Sequence, residues 1–268
     1  MRVQRAQFQR TVLNYYRQCR RDLPWRHAIT PYKVFVSEIM LQQTQVKRVI
    51  ERYPVFIREF PGFAALARAP LRRILAAWSG LGYNRRSLAL KRSAEIIVRS
   101  YRGRLPRTLA ELVALPGVGH ATACAVLAYA FNEPVAFIET NIRTVYIHHF
   151  FRDQGKVSDQ DILRLVEATA DRRNPRQWYW ALMDYGTHIK KRYGNPGRKS
   201  AHYVQQPPFG GSHRQVRGRV LATLAKRACS VRELGQGLQM PLRPIQEAVN
   251  ELQQEGFIAA GRGRYRIA

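Results

Sequence analysis

The sequence predicts an all-α protein that ends in a small winged helix-turn-helix, and three observations carry that prediction. Apolar residues recur at three- and four-residue spacings up to about residue 190, the period of a helix with one buried face. Proline and glycine breaks divide this region into segments of roughly 10–20 residues, with no alternating β run between them. Alternation appears only at the C-terminus, in FIAAGRGRYRIA after Gly256, where a Gly-Arg-Gly turn separates two short strands.

Taken in order, Val34, Ile39, Met40, Val46, Val49 and Ile50 form one set of helical stripes. Leu71, Ile74, Leu75 and Trp78 form the next, followed by Leu88, Ala94, Ile97 and Val98. Breaks are expected at Pro24, Pro31, Pro54, Pro61, Pro70, the Gly80-Leu81-Gly82 turn, Pro106, Pro116 and Pro134. From Gly194 to Ser212 the composition turns to that of a linker or irregular loop, with Asn195-Pro196-Gly197, Pro207-Pro208 and Gly210-Gly211-Ser212. Beyond it a helix is expected over Gln215–Arg227. Ser230 caps a second over Val231–Leu238, and Leu242–Glu255 makes a third. Three helices and a hairpin are the pattern of a winged helix, a module that binds either DNA or protein.

The chain has 268 residues and a formal net charge of +27, from 37 Arg and eight Lys against 18 acidic residues. That excess points to a polyanionic partner, nucleic acid before membrane, because phosphate neutralisation releases counterions and no single amphipathic helix carries the charge. The longest apolar run, Ala121–Phe131, is too short to span a bilayer, and MRVQRAQFQR has no apolar core of a secretory signal. Cys19, Cys124 and Cys229 are far apart, which excludes a disulfide framework and a CxxC metal site. The expectation is a soluble protein of a reducing compartment, cytoplasmic and nucleoid-associated, that works as a monomer on double-stranded DNA.

Two segments carry chemistry. In LPGVG (Leu115–Gly119), two glycines two apart permit φ > 0 and close backbone approach, and Thr122 opens the next helix. Amides of Gly117, Val118, Gly119, His120 and Thr122 at a helix start suit a phosphate, although an ordinary αα-corner has the same pattern. In SEIMLQQTQV (Ser37–Val46), Glu38 is the one acid in an apolar, amide-rich helix. It is either at a surface or held as a proton donor with a raised pKa. Gln42, Gln43, Thr44 and Gln45 are uncharged hydrogen-bonding groups suited to base edges or to an emptied base stack, or to capping neighbouring helices.

LPWR (Leu23–Arg26), SEIMLQQTQV, WSGLGYNRRSLAL and LPGVGHATACAV, in this order and spacing, resemble the helix-hairpin-helix DNA glycosylases, most of all the MutY-type adenine glycosylases. The resemblance runs from about Phe8 to Gly197 and implies a two-lobe helical fold with base flipping into the cleft between the lobes. It implies a lobe made of 1–28 with 134–203 and a six-helix barrel over 29–133 that bears the hairpin; the helix and hairpin pattern gives a winged-helix domain over 204–268. By the same resemblance Glu38 protonates the leaving adenine, and Gln42, Gln43 and Tyr83 are wedge residues. Where the family has Leu-Asp-Gly-Asn-Val, this chain has Ile138-Glu139-Thr140-Asn141-Ile142. Glu139 therefore stands at the position of the ionised carboxylate that stabilises the oxocarbenium-like sugar, and Asn141 matches the family's Asn.

The departures from the family are as informative. Glu139 adds one methylene, about 1.5 Å of reach, where a misplacement of ~1 Å can cost roughly a hundredfold. It serves through an adjusted backbone, or the pocket is retuned for another base, or the site is crippled. Ala121 occupies the position of the Schiff-base Lys of bifunctional relatives, which implies hydrolysis without lyase activity. The four Cys of the family's iron–sulfur loop are absent, so no cofactor or metal is expected. Lys190, Lys191 and Arg198, together with Arg192 and Lys199, are expected to take over phosphate contacts there, with Tyr185, Tyr203 and Phe209 packing the space. The family's C-terminal reader of 8-oxoguanine is also missing. The expected activity is monofunctional excision of a mispaired or damaged base, adenine first. Excision of thymine, uracil or another modified base is the alternative, and a non-catalytic winged-helix DNA-binding protein is a second one. His148 and His149 are read as core or groove residues rather than a metal site.

Overall fold

The helical stripes close on themselves as expected in the computed structural model, which describes residues 2–205 and 210–268. Phe209 and the Pro207-Pro208 pair lie outside the described residues. The helices in chain order are α1 (Arg2–Cys19), α2 (Pro31–Leu41), α3 (Val46–Glu59), α4 (Phe63–Arg68), α5 (Leu71–Ala77), α6 (Arg85–Tyr101) and α7 (Leu109–Val113). They continue as α8 (His120–Phe131), α9 (Thr140–Phe150), α10 (Asp159–Thr169), α11 (Pro175–Tyr193), α12 (His213–Leu224), α13 (Val231–Leu238) and α14 (Leu242–Gln254). Strands β1 (Ile258–Gly261) and β2 (Arg264–Ile267) form an antiparallel wing that pairs Ile258 with Ile267. Arg262 and Gly263, with φ of 50° and 73°, make the mirror-image turn that a two-residue hairpin needs. The fold is therefore all-α with a small wing.

Pro54 does not break its helix. α3 runs through it because Val49, Tyr53 and Phe56 are buried on one face. Each such burial contributes about 1.5–3 kcal/mol, which together outweighs the ~3 kcal/mol cost of an interior proline. α12 also differs from expectation: it starts two residues earlier, at His213, and ends at Leu224 rather than Arg227. IRTVYIHHFF, strand-like in its β-branched composition, lies mostly within α9.

Contacts group the chain into two compact units. Unit 1 comprises Met1–Glu38 and Pro106–Gln205; unit 2 comprises Ile39–Leu105 and Gln206–Ala268. In unit 1, Phe8 and Val12 of α1 pack with Ile142 and Tyr146 of α9 and with Trp178 and Leu182 of α11. The crossing of α9 and α11 is close because residue 186 is glycine. A Cβ there would lie 2.6 Å from the Asn141 carbonyl oxygen.

After α11, a single turn, Pro196–Lys199, docks on α9. The Asn195 side chain caps it by accepting from the Gly197 N–H at 3.1 Å. A Cβ at Gly197 would come within 3.2 Å of Thr144 Oγ1. The Val157 N–H donates to the Lys199 carbonyl and the Ala201 N–H to the Val157 carbonyl, each at 2.9 Å. Backbone pairing thus holds this loop, and the expected aromatic packing is only partial. Tyr185 packs and bonds His149, whereas Tyr203 is exposed.

In unit 2 the winged helix is fused to the helices before it. Leu71, Leu75 and Leu88 share one core with Val220 and Leu224 of α12 and with Ile245 and Val249 of α14. Ion pairs reinforce this core: Glu255 meets both Arg85 and Arg217 at 2.6 Å, and Arg217 also meets Glu251 at 2.6 Å. Ser230 and Glu233 form a capping box at α13, which satisfies two amides that the helix start leaves over.

Candidate active site

Glu38 sits one turn before the end of α2, the apolar helix that Pro31 opens. Its neighbours Phe35, Val36, Ile39 and Met40 are buried, while Glu38 itself is part-buried. Burial pushes its carboxyl up to about 8, the charge of Glu139 adds to the rise, and Arg26 opposes it. At neutral pH the group is thus mainly a carboxylic acid, able to donate a proton.

Glu139 is the N-cap of α9. Its Oε1 accepts from the Asn141 N–H at 2.6 Å and from the Ile142 N–H at 3.1 Å. The longer side chain curls onto its own helix start, so the extra methylene is taken up by capping. Burial raises this carboxyl as well, but the Asn141 amide, the Lys190 charge, the Ile142 amide and Arg143 all favour its anion. Both carboxyls are raised, and that of Glu139 is the one bonded by amides at the start of α9, which work against its rise.

Asn141 accepts from Lys190 Nζ at 2.8 Å through Oδ1. Lys190 is consequently part-buried and committed to the site, and burial depresses its pKa. Lys191, Arg192 and Arg198 are exposed, and Lys199 Nζ bonds the Arg152 carbonyl at 2.5 Å. Of the basic residues expected on this loop, those at 191, 192 and 198 face solvent.

Several residues around the acids are not evident in the sequence. Asp184 of α11 is 1% exposed and receives both nitrogens of an Arg26 fork, at 2.8 and 2.9 Å, plus Arg21 Nε at 2.6 Å. Burial alone would raise this carboxyl; Arg26 and Arg21 hold it below its ordinary value. The Arg26 guanidinium lies 5.2 Å from the centroid of Trp180, which stacks on Tyr129 at 6.1 Å. Tyr129 is buried and its hydroxyl is pushed far up, first by burial and then by the charges of Glu38 and Glu139.

The hairpin turn joins α7 to α8. Gly117 has φ of 76°, so only glycine sits there without strain. Gly119 does not share that conformation, contrary to expectation; it is the N-cap of α8, with φ of −87°. A Cβ at 119 would meet nothing within 4 Å, so nothing inside the protein requires a glycine there. Val118 anchors the turn in the core, His120 is exposed, and the helix opens at His120 rather than at Thr122, its third residue.

Within unit 2, Gln42 and Tyr83 share one organiser, Arg86, whose acceptors on Gln42 and Thr44 flank Gln43. Its Nη1 donates to the carbonyls of Ile39 at 3.0 Å, Met40 at 2.8 Å and Gln42. Its Nη2 donates to Thr44 Oγ1 at 2.8 Å and to the carbonyls of Leu81 and Gly82 at 3.2 and 3.0 Å. Gln43 and Tyr83 hold φ of 51° and 46°, left-handed values that non-glycine residues adopt only when their surroundings impose them. Gln43 is exposed; Gln42 and Tyr83 are part-buried.

No group of three or more His, Cys, Asp or Glu among the described residues is placed to hold a metal. The residues present do not fit a four-thiolate iron–sulfur cluster: Cys19 is exposed on α1, Cys124 is in the core of unit 1 and Cys229 is in that of unit 2. His149 bonds Tyr185 and His148 stacks on Tyr193, so the pair serves packing.

Residues 36–168 match the model of the HhH-GPD superfamily base excision DNA repair proteins. A Mycobacterium tuberculosis protein named adenine DNA glycosylase is 34% identical over 233 residues, covering 80% of this chain and 77% of that one. This chain belongs to the HhH-GPD superfamily. Another superfamily relative, the adenine DNA glycosylase of Buchnera aphidicola subsp. Baizongia pistaciae, is 38% identical over 184 residues and 68% of this chain. The chain spans about half the length of that relative, 52%. Among solved structures, a thermostable thymine-DNA glycosylase aligns with a TM-score of 0.66 at 27% identity, over 73% of this chain and 91% of that one. An endonuclease III–DNA covalent intermediate aligns with a TM-score of 0.58 at 16% identity and shows the HhH-GPD fold alone.

Proposed function

We propose that the protein is a monofunctional DNA glycosylase that extrudes a mispaired or damaged base from double-stranded DNA and hydrolyses its N-glycosidic bond. The observation that carries this reading is the split between two neighbouring carboxyls, one pushed up to about 8 and the other capped by backbone amides. Glu38 gives its proton to the base as the C1′–N bond breaks and the bonding pair leaves with the base. Glu139, as the anion, stabilises the positive charge left on the sugar. Water adds to C1′, and its proton restores the Glu38 acid. Asn141, braced by Lys190, positions Glu139.

Adenine is the proposed base, since the matched relatives carry that name. Thymine is the second reading, favoured by the alignment with the thymine-DNA glycosylase. The Gly117–Thr122 amides hold a phosphate through the backbone, and the open space beside Gly119 fits close approach from outside. Gln42, Gln43 and Tyr83 fill the emptied stack. Ala121 is exposed on the first turn of α8 and supplies no amine, so no covalent imine forms there. The chain acts as a monomer in the cytoplasm, on the nucleoid.

Labelled duplexes carrying adenine, thymine, uracil, hypoxanthine or oxidised bases in each pairing, treated with alkali after reaction, test the proposal. Wild type should release one class of base, Glu38→Gln should release it about 10³-fold more slowly, and borohydride should trap no covalent complex. Equal release by the mutant removes Glu38 from its role.

A further inference from the structure

Arg214, on the first turn of α12, donates from Nη1 to the Tyr83 hydroxyl, and its guanidinium carbon lies 5.3 Å from the Tyr83 ring centroid. Arg86 lies 5.5 Å from the same centroid. The Tyr83 ring is thus held by two guanidiniums. Arg86 secures the backbone turn at the ring's root, and Arg214 grips the hydroxyl at its tip. The root is the end of a strained turn in which Gly80, Gly82 and Tyr83 have φ of 89°, 70° and 46°. A side chain so placed keeps one ring orientation because both of its ends are fixed.

The element that supplies Arg214 is built not to move away. Its core is shared with Leu71, Leu75 and Leu88, Arg72 Nε donates to the Ala225 carbonyl at 2.5 Å, and Arg92 Nη2 donates to the Glu255 carbonyl at 2.9 Å. The third helix of a three-helix variant of the helix-turn-helix ordinarily reads the major groove. Here α14 carries Glu247 and Glu251 against a single Arg243 and ends on the C-cap Glu255, and Glu251 and Glu255 are spent on Arg217, His213 and Arg85. α12 has the opposite character, with His213, Arg214, Arg217 and Arg219 and no acid.

From this juxtaposition we infer that the winged helix acts in base extrusion through Arg214 of α12, a positioning residue that presets the wedge Tyr83, and not through α14 as an independent DNA reader. The inference rests on the reading of Tyr83 as a wedge given above. When the ring enters the stack its tip is already oriented, so the ordering cost is met before DNA binds.

The test uses the full chain and a duplex with 2-aminopurine beside the target base. Fluorescence reports extrusion, single-turnover kinetics report base release, and titration reports affinity. Arg214→Ala and Tyr83→Phe should each lower extrusion and slow release roughly tenfold, with affinity within about twofold of wild type, the scale of one charge-assisted hydrogen bond. The double variant should be no slower than Arg214→Ala alone, because the hydrogen bond that Tyr83→Phe removes is already lost there. Arg243→Ala with Asn250→Ala should leave affinity unchanged. Arg214→Ala at the wild-type rate while Tyr83→Ala is slow overturns this inference and leaves the wedge standing. Multiplied losses in the double variant, or weakened binding in the α14 variant, overturn it as well. If Tyr83→Ala extrudes and releases like wild type, the wedge reading itself fails, and this inference with it.

Discussion

In unit 1 the two acids of the candidate site, Glu38 and Glu139, are short of compensation, unlike Asp184 with its two arginines, whereas in unit 2 the buried charge is a guanidinium wrapped in carbonyl oxygens. Glu38 is pushed up to about 8, and Glu139 rises despite two backbone amides and the Lys190 charge. Arg86 has its own cost, since burial draws it down to about 10, yet it keeps its proton at any physiological pH and its Nη donors all find acceptors. The difference separates a group built for chemistry from one built for architecture. A protonation balance left close to neutrality allows a proton to be given away; a cation with every Nη donor engaged cannot change state and only holds its turns in place.

The largest expected effect tests the first half of this contrast. Glu38→Gln keeps shape and hydrogen-bonding capacity but removes the transferable proton, so base release should fall about 10³-fold while DNA affinity is kept. A loss of affinity equal to the loss in rate would assign Glu38 to binding. The second half predicts a different symptom. Arg86→Leu strands the carbonyls of Ile39, Met40, Gln42, Leu81 and Gly82, and should cost about 3 kcal/mol of unfolding free energy in denaturant titration. A stability within ~0.5 kcal/mol of wild type would show that the cage is ornamental.

Gly186→Ala probes the α9 start from inside unit 1. Its new Cβ would sit 2.6 Å from the Asn141 carbonyl oxygen, and that backbone cannot yield without moving the α9 start that holds Glu139. Base release should slow by ~10–100-fold at nearly constant affinity; an unchanged rate would detach the cap geometry from catalysis. The smallest effect concerns the basic loop. Lys191 and Arg198 are exposed while Lys190 is turned inward to Asn141. Neutralising the exposed pair should shallow the salt dependence of DNA binding by ~2 units, and an unchanged slope would remove this loop from the interface.

What the sequence reveals follows the range of the interactions involved. The helical array, the hairpin turn and the wing are set by local spacing, so apolar stripes and a Gly-Arg-Gly turn are enough to find them. Pro54 misleads because a local breaker is outweighed by tertiary burial of Val49, Tyr53 and Phe56. Glu38 stands out as the lone acid in an apolar helix, and Glu139 is found by its resemblance to a known motif. Asp184 is not visible in that way: its partner Arg26 is 158 residues distant and either residue alone reads as a surface charge. Arg86 is hidden for another reason, since its partners are mostly backbone carbonyls, which every residue has. Lys190 reads as one more phosphate contact because nothing local shows that it points back at Asn141. Gly119 reads as a second left-handed glycine, and only the backbone shows a helix cap with open space beside it.

The unequal carboxyl pair also sets a pH dependence with a definite sign. Glu38 binds its proton more tightly in the folded protein than its ordinary value of 4.5, so its ionisation works against folding as pH rises from there to about 8. Glu38→Gln should therefore gain stability relative to wild type across that window. The same titration governs activity, and the dependence of kcat/KM on pH reports groups of the free enzyme. Wild-type kcat/KM should be level approaching pH 8 from below and then fall tenfold per pH unit, with that alkaline limb absent from the residual activity of Glu38→Gln. A wild-type profile that stays flat through pH 9, or one that falls only on the acid side with a midpoint near 4.5, would contradict the assignment of Glu38 as the acid.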